Sequence, residues 1–350
     1  MAEAPFLRNQ WYVAAFPHEV TTKPLARTIL NEPLVLFRGE DGVVGALSDR
    51  CPHRMAPLSS GEVAGDTVQC GYHGIRFGRD GACAHIPGGL AAPRNFRARS
   101  YPVAEKHGFI FLWMGEKEAD PALIPDFHEN DDPAWTPVPG YLNIPCHYEL
   151  MVDNILDLTH VVFVHKTTLA GGGVTDTPLE VVVEGDRIKA QRMMLNVDTA
   201  PIYRAARGLD GKIDRWQIFE YQPPMYVKIV LGARAAGADT PLGEPVHVVL
   251  NSFTPETDKS IHYFWSTTRP WALDDPKVSQ LYREMIDLAF AEDAAITARQ
   301  QAYIDSAPGG ATFVNFPFDR AGQSARRIVQ RLLQEEANEK EASAARNAAE

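Results

Sequence analysis

The chain has 350 residues, of which 45% are hydrophobic and 23% charged, and its net charge is −11. These are the figures of a soluble globular protein with room for two domains of ordinary size. The acidic balance and the lack of a basic stripe argue against a nucleic-acid partner, and no apolar run approaches a membrane span. Four cysteines are too few for a disulfide framework, and Met1–Phe6 lacks the pattern of a signal peptide. Both point to the reducing cytoplasm.

In chain order, residues 1–118 read as an all-β first domain. Pro33–Arg38 and Val43–Leu47 flank Gly39-Glu40-Asp41-Gly42 as a hairpin, and Asp80-Gly81 after Ile75-Arg76-Phe77 marks a second tight turn. The acid- and proline-rich stretch Gly115–Trp135 reads as the crossing to a second domain, 119–350. That domain mixes element types. A helical stretch is predicted over Tyr148–Val164. Strands follow at Leu179–Val183, Trp216–Tyr221, Tyr226–Leu231, Val246–Phe253 and Ile261–Ser266. A long helix then opens at Asp275-Pro276 and runs to about Tyr303. An amphipathic helix is predicted over Ser324–Gln334, and the charged, Ala-rich tail from Glu335 is expected to fray. Strands followed by helices give an α+β class.

Two motifs carry chemistry. The first is Cys51-Pro52-His53 followed by Cys70-Gly71-Tyr72-His73. Each loop brings one thiolate and one imidazole. Two sulfur and two nitrogen donors fit a structural zinc or a mixed-ligand iron–sulfur cluster. Zinc loops commonly pair Cys with Cys and His with His, whereas one of each per loop suits a [2Fe–2S] centre with two cysteines on one iron and two histidines on the other. Cys83 and Cys146 have no place in the pattern and read as small buried residues.

The second motif is Asp153-Asn154-Ile155-Leu156-Asp157-Leu158-Thr159-His160, continuing to His165. Polar residues recur on one side of a helix otherwise rich in Leu, Ile and Val, and their burial is costly unless they are paired or bind metal. A five-residue spacing cannot aim His160 and His165 at one point from an ideal helix, so the helix must end or distort near Val164. Two imidazoles and one carboxylate on one face of an iron leave positions for O2. The carboxylate has to come from elsewhere, and the late helix offers Glu292 and Asp293. Against the apolar stripe Val278, Leu281, Met285 and Leu288, Glu292 lies nearer the centre, but periodicity does not settle the choice. The other histidines read as surface or packing residues, with His247 or His262 able to line a pocket. Lys228 lies in a predicted strand, either on a solvated face or paired with a substrate carboxylate.

Cys-Pro-His-Arg-x-Ala-Pro-Leu-Ser followed by Cys-x-Tyr-His-Gly resembles the Rieske domain of ring-hydroxylating and O-demethylating oxygenases. Asn154-x2-Asp157-x2-His160-x4-His165 is similar to their mononuclear iron motif. The resemblance runs from Asn9-Gln10-Trp11-Tyr12 to Arg299-Gln300-Gln301 and is strongest to the vanillate and dicamba demethylase branch. It implies a Rieske domain of small antiparallel sheets, then a helix-grip domain in which a curved antiparallel sheet wraps the long helix. It also implies that Cys51 and Cys70 hold one cluster iron, His53 and His73 the other, and His160, His165 and Asp293 a mononuclear Fe(II). Asp157 resembles a carboxylate that couples the two centres across a head-to-tail trimer, and Asn251 sits where relatives place polar pocket residues. The implied activity is O2-dependent O-demethylation of a methoxylated aromatic acid such as vanillate, with formaldehyde released. A separate flavin- or ferredoxin-type reductase would supply NAD(P)H electrons. Methyl hydroxylation, N-demethylation, ring dihydroxylation and a pure Rieske electron carrier are the other readings.

Overall fold

A computed structural model describes residues 6–239, 241–243 and 246–349. The chain forms two compact units: one runs to Ile124 and takes in Thr254–Asp258, and the other comprises Pro125–Phe253 and the chain from Lys259 onward. No helix among the described residues is long and apolar enough to cross a membrane.

The first unit is built from short antiparallel strands: β1 (Trp11–Ala15), β2 (Leu25–Ile29), β3 (Glu32–Arg38), β4 (Val44–Ser48), β5 (Glu62–Ala64), β6 (Thr67–Gln69), β7 (Arg76–Phe77), β8 (Cys83–His85), β9 (Val103–Lys106) and β10 (Phe109–Trp113). They form three sheets, ordered β1-β10-β9, β2-β3-β4 and β5-β6-β7-β8. The predicted β3–β4 hairpin pairs Val35 with Leu47, and its turn is closed by Asp41, whose carboxylate accepts from Val43 N at 2.9 Å. At the Asp80-Gly81 turn, Gly81 sits at φ 81°, where an added Cβ would lie 2.0 Å from the Ala98 carbonyl. Val35, Phe37, Leu47, Leu58, Val68 and Phe77 form a core that also holds Cys51 and Cys70.

The second unit is a seven-stranded antiparallel sheet with helices. Its strands are β11 (Thr136–Ile144), β12 (Glu180–Glu184), β13 (Arg187–Asp198), β14 (Lys212–Gln222), β15 (Tyr226–Ala235), β16 (His247–Thr257) and β17 (Ser260–Arg269), in the order β11-β17-β16-β15-β14-β13-β12. Its helices are α1 (Tyr148–Leu156), α2 (Val161–Val164), α3 (Pro201–Arg207), α4 (Pro276–Ser306) and α5 (Arg320–Ala349). This is the helix-grip α+β arrangement. Close strand packing is set by two Gly–Trp pairs across the ladders, Gly140 opposite Trp265 and Gly232 opposite Trp216. A Cβ at either glycine would stand 2.0 Å from the indole ring.

Several elements differ from the sequence reading. β11 lies in a proline-bearing segment (Pro137, Pro139) that showed no strand pattern; it is tolerated because β11 is an edge strand, where missing N–H donors cost no ladder bond. β13 buries Ile188, Ala190, Arg192 and Met194 in alternation, so a buried arginine interrupts the apolar pattern that would have marked it. The tail does not fray at Glu335: α5 continues to Ala349, as its alanines and long charged side chains favour. On α4 the buried row is Tyr282, Ile286, Ala289, Phe290, Asp293, Thr297 and Gln301, whereas Leu288 is 49% exposed. The row is partly polar, so hydropathy alone placed it one residue away.

Candidate metal centres

In the first unit the two Cys/His loops have the same backbone despite their unequal spacing. Cys51 N donates to Ala56 O and Met55 N to Cys51 O, both at 2.8 Å; Cys70 N donates to Ile75 O at 2.8 Å and Gly74 N to Cys70 O at 2.9 Å. The fourth residue after each cysteine has positive φ, 60° at Met55 and 69° at Gly74. Cys51 and Cys70 are buried while His53 and His73 are exposed. The two imidazoles meet edge to face with centroids 4.8 Å apart. Burial pushes the Cys51 thiol pKa up, and the Cys70 sulfur beside it adds to this, against hydrogen bonds from the backbone N–H groups of His53 and Arg54. The loops also approach closely: a Cβ on Gly61 would lie 1.8 Å from Gln69 O. Paired buried thiols, backbone N–H groups aimed at sulfur and two outward imidazoles fit a mixed-ligand iron–sulfur cluster.

In the second unit α1 ends at Leu156, a 3-10 turn spans Leu158–His160, and α2 stops at Val164. The helical stretch therefore breaks, and His165 stands at its end with φ −99° and ψ 47°. That break lets residues five apart converge. His160 Nε2 and His165 Nε2 are 3.2 Å apart, and Asp293 Oδ1 lies 3.4 Å from the first and 3.2 Å from the second. Three donors around one ion at metal–ligand distances of about 2.1 Å stand roughly 3 Å apart when they occupy one face. Asp293 is 1% exposed. Burial pushes the His165 pKa down, but the carboxylates of Asp293 and Glu292 overcome this and raise it. Such a setting favours a cation between them.

Neighbouring groups fix the donors. Glu292 Oε2 lies 2.8 Å from His165 Nδ1, and the Asp157 carbonyl meets His160 Nδ1. Both rings therefore present Nε2 to the centre. Asn154 Nδ2 donates to Asp293 Oδ1 at 3.2 Å. Thr297 Oγ1 donates to Asp293 O at 2.8 Å and anchors that turn of α4. The Asp157 carboxylate accepts from Thr159 N at 2.9 Å and lines an opening shared with Asn154 and His160. Asp153 pairs with Arg326 of α5.

Beside the three donors is a cavity walled mainly by apolar side chains such as Ile155, Val161, Phe219, Leu231 and Phe290. Its polar wall includes Arg215, Gln217 and His247, with Tyr203 beside Arg215. Of these, sequence reasoning named only His247 as a possible pocket residue. The signal for Arg215 and Gln217 was their place in the inward row of a buried strand. Asn251 faces the same side of the sheet but is wholly buried. Its amide donates to Val227 O at 2.9 Å, and its carbonyl accepts from Tyr263 at 2.7 Å. Lys228 lies on the opposite face, ion-paired with the buried Glu129.

A cluster cradle and a separate three-donor site in one polypeptide define a two-centre metalloprotein. Residues 10–100 match the Rieske [2Fe-2S] domain family, and residues 144–335 match the vanillate O-demethylase oxygenase C-terminal domain. The chain is 38% identical to the vanillate O-demethylase oxygenase subunit of a Pseudomonas species, over 94% of this chain and 95% of that one. It is 36% identical to the dicamba O-demethylase oxygenase component of Stenotrophomonas maltophilia, over 95% and 99% respectively. Its fold superposes on the crystal structure of dicamba monooxygenase bound to 3,6-dichlorosalicylic acid with a TM-score of 0.90 at 35% identity, covering 95% of this chain and 99% of that one. The chain belongs to the Rieske non-haem iron oxygenases, in the branch of the vanillate and dicamba demethylase oxygenase subunits.

Proposed function

We propose that this chain is the terminal oxygenase of a multicomponent system that demethylates a methoxylated aromatic acid, such as vanillate. The observation that carries this reading is the convergence of His160 Nε2, His165 Nε2 and Asp293 Oδ1 beside an apolar cavity. In this reading those three residues hold Fe(II). Cys51 and Cys70 hold one iron of the Rieske cluster, and His53 and His73 the other. Bound at its site, the ferrous ion supplies open positions for O2 and one of the two electrons required.

The chain's own residues then have defined tasks. Glu292 and the Asp157 carbonyl hold the imidazole tautomers. Asn154 keeps Asp293 Oδ1 turned toward the histidines. The apolar wall excludes water from the methyl group. Insertion of one oxygen atom into a methyl C–H bond uses O2, two electrons and two protons and releases one water. The resulting hemiacetal collapses to a phenol and formaldehyde. The electrons come from a separate reductase of flavin or ferredoxin type that oxidises NAD(P)H.

A head-to-tail trimer accounts for two exposed surfaces. In the first unit, His53 and His73 lie near Met55 (63% exposed) and Tyr72 (66%). In the second, Phe313 (55%) and Val314 (79%) line the opening that contains Asp157. In the trimer the cluster tip of one copy covers the Asp157 opening of the next, and the Asp157 carboxylate receives the cluster histidine. The test is turnover with methoxylated benzoates and a surrogate reductase. Equimolar formaldehyde and phenol support the reading, whereas a ring-hydroxylated product that keeps its methoxy group, formed without formaldehyde, refutes it. Asp157→Asn keeps both metals and stops coupled turnover; wild-type demethylation by that variant would remove its bridging role.

A further inference from the structure

Several buried polar atoms in the wall of the cavity beside His160, His165 and Asp293 have no hydrogen-bond partner. Arg215, Gln217 and His247 are 2%, 3% and 1% exposed. Arg215 Nε and Nη1, Gln217 Oε1 and both ring nitrogens of His247 are buried without a hydrogen-bond partner. The sheet register brings the three together: Gln217 pairs with Leu231 and Leu231 with His247, while Arg215 stands two residues from Gln217 on the same face. Among the described residues no carboxylate pairs with Arg215. A second buried guanidinium, Arg192, lies directly across the ladder from Gln217.

Burying a guanidinium without a counter-charge or a full set of acceptors is costly. This one is nevertheless held in place. Arg215 Nη2 donates to Leu169 O at 3.3 Å. Its guanidinium carbon lies 5.4 Å from the Tyr203 ring centroid. Gly171 leaves room for it, since a Cβ there would be 2.7 Å from Nη1. These contacts engage Nη2 and leave Nε and Nη1 without a partner. Each of those N–H groups can donate a charge-assisted hydrogen bond to the oxygen of an anionic group. Burial, with Arg215 nearby, pushes the His247 pKa down to about 3, so its ring is neutral and offers one N–H.

We propose that Arg215 and His247 anchor the acid group of the substrate, with Gln217 Oε1 accepting from a ring hydroxyl, and thereby place the methyl group in the same cavity as the three metal donors. This rests on the oxygenase reading above and adds to it the side chains that select an anion. Arg215 is a binding and positioning residue and takes no part in bond breaking.

The test compares 4-methoxybenzoate with its neutral near-isostere 4-methoxybenzamide on the holoenzyme, by equilibrium binding and by formaldehyde release. The wild type is expected to prefer the acid at least tenfold in Kd. Arg215→Gln is expected to abolish that preference through a rise in Kd and KM for the acid, with the amide changing less than threefold and iron content unchanged. Arg215→Lys, which retains the charge, should restore part of the preference and covers the case in which the glutamine variant does not fold. His247→Leu should weaken acid binding, and His247→Gln should weaken it less. The proposal is overturned if the wild type binds both probes equally, if it shows no saturable binding of 4-methoxybenzoate, or if an Arg215 variant with full iron retains the preference. The binding arm is independent of product. Acid-selective binding without formaldehyde therefore sinks the demethylase reading alone, and formaldehyde release without acid selectivity sinks the anchor alone.

Discussion

Glu292 and Asp293 are adjacent on one helix, yet their carboxylates meet opposite sides of the same imidazole. Asp293 Oδ1 faces His165 Nε2 at 3.2 Å and His160 Nε2 at 3.4 Å, whereas Glu292 Oε2 sits on His165 Nδ1 at 2.8 Å. Replacing each by its amide tests the proposed division of roles, Asp293 as iron ligand and Glu292 as the group that orients His165. Glu292→Gln keeps all three donors and loses only the charge on the outer nitrogen. Outer partners of this kind are worth about 10- to 100-fold in metal affinity, or about 1.4–2.7 kcal/mol at 1.36 kcal/mol per decade. Asp293→Asn removes the anion that balances the metal charge in a 1% exposed position, so its loss exceeds that range. The assay is anaerobic ferrous titration of each variant, with the Rieske absorption spectrum as an internal check that the first unit is intact. Wild-type iron affinity in Asp293→Asn, combined with loss in Glu292→Gln, would refute the assignment and exchange the two roles.

Other predictions address the scaffold. Lys228→Met strands the buried carboxylate of Glu129 and is expected to cost about 3 kcal/mol in denaturant unfolding; a role for Lys228 at the substrate would instead show as a raised KM in folded protein. Gly232→Ala drives a methyl group to within 2.0 Å of the Trp216 ring and is expected to lower stability by roughly 1–3 kcal/mol or more, read as a fall in Tm. Burial raises the Glu32 pKa, but hydrogen bonds from Tyr101 and Arg8 outweigh it and hold the carboxyl below its ordinary value of 4.5. Its stabilising contribution is therefore complete above that pH and is lost as the pH falls through the lowered native value. Glu32→Gln should flatten the acid limb of the stability–pH curve, and an unchanged limb would remove Glu32 as its source.

The donor sets of both candidate centres were legible in the order of the amino acids. Cys51, His53, Cys70 and His73 are legible because ligand residues at short, matched spacings are rare without a metal, and the loops they predict have one shared backbone pattern. The convergence of His160 with His165 was legible too, together with the need for a helix end near Val164, where α2 stops and His165 leaves helical geometry. Which residues face inward when the inward row is polar became clear only from packing and strand pairing. Hydropathy located the α4 stripe from Leu281, Met285 and Leu288, but the buried row runs through Asp293, Thr297 and Gln301. A rotation of one residue on a helix is about 100°, enough to separate a metal donor from its neighbour's support. The same cause hid Arg215 and Gln217. Alternation along β14 makes them inward, but their polarity reads as outward until strand pairing sets the face. Buried polar groups at a site break the pattern by which sequence reports burial, so the polar residues that line the cavity are the ones a linear reading places least well.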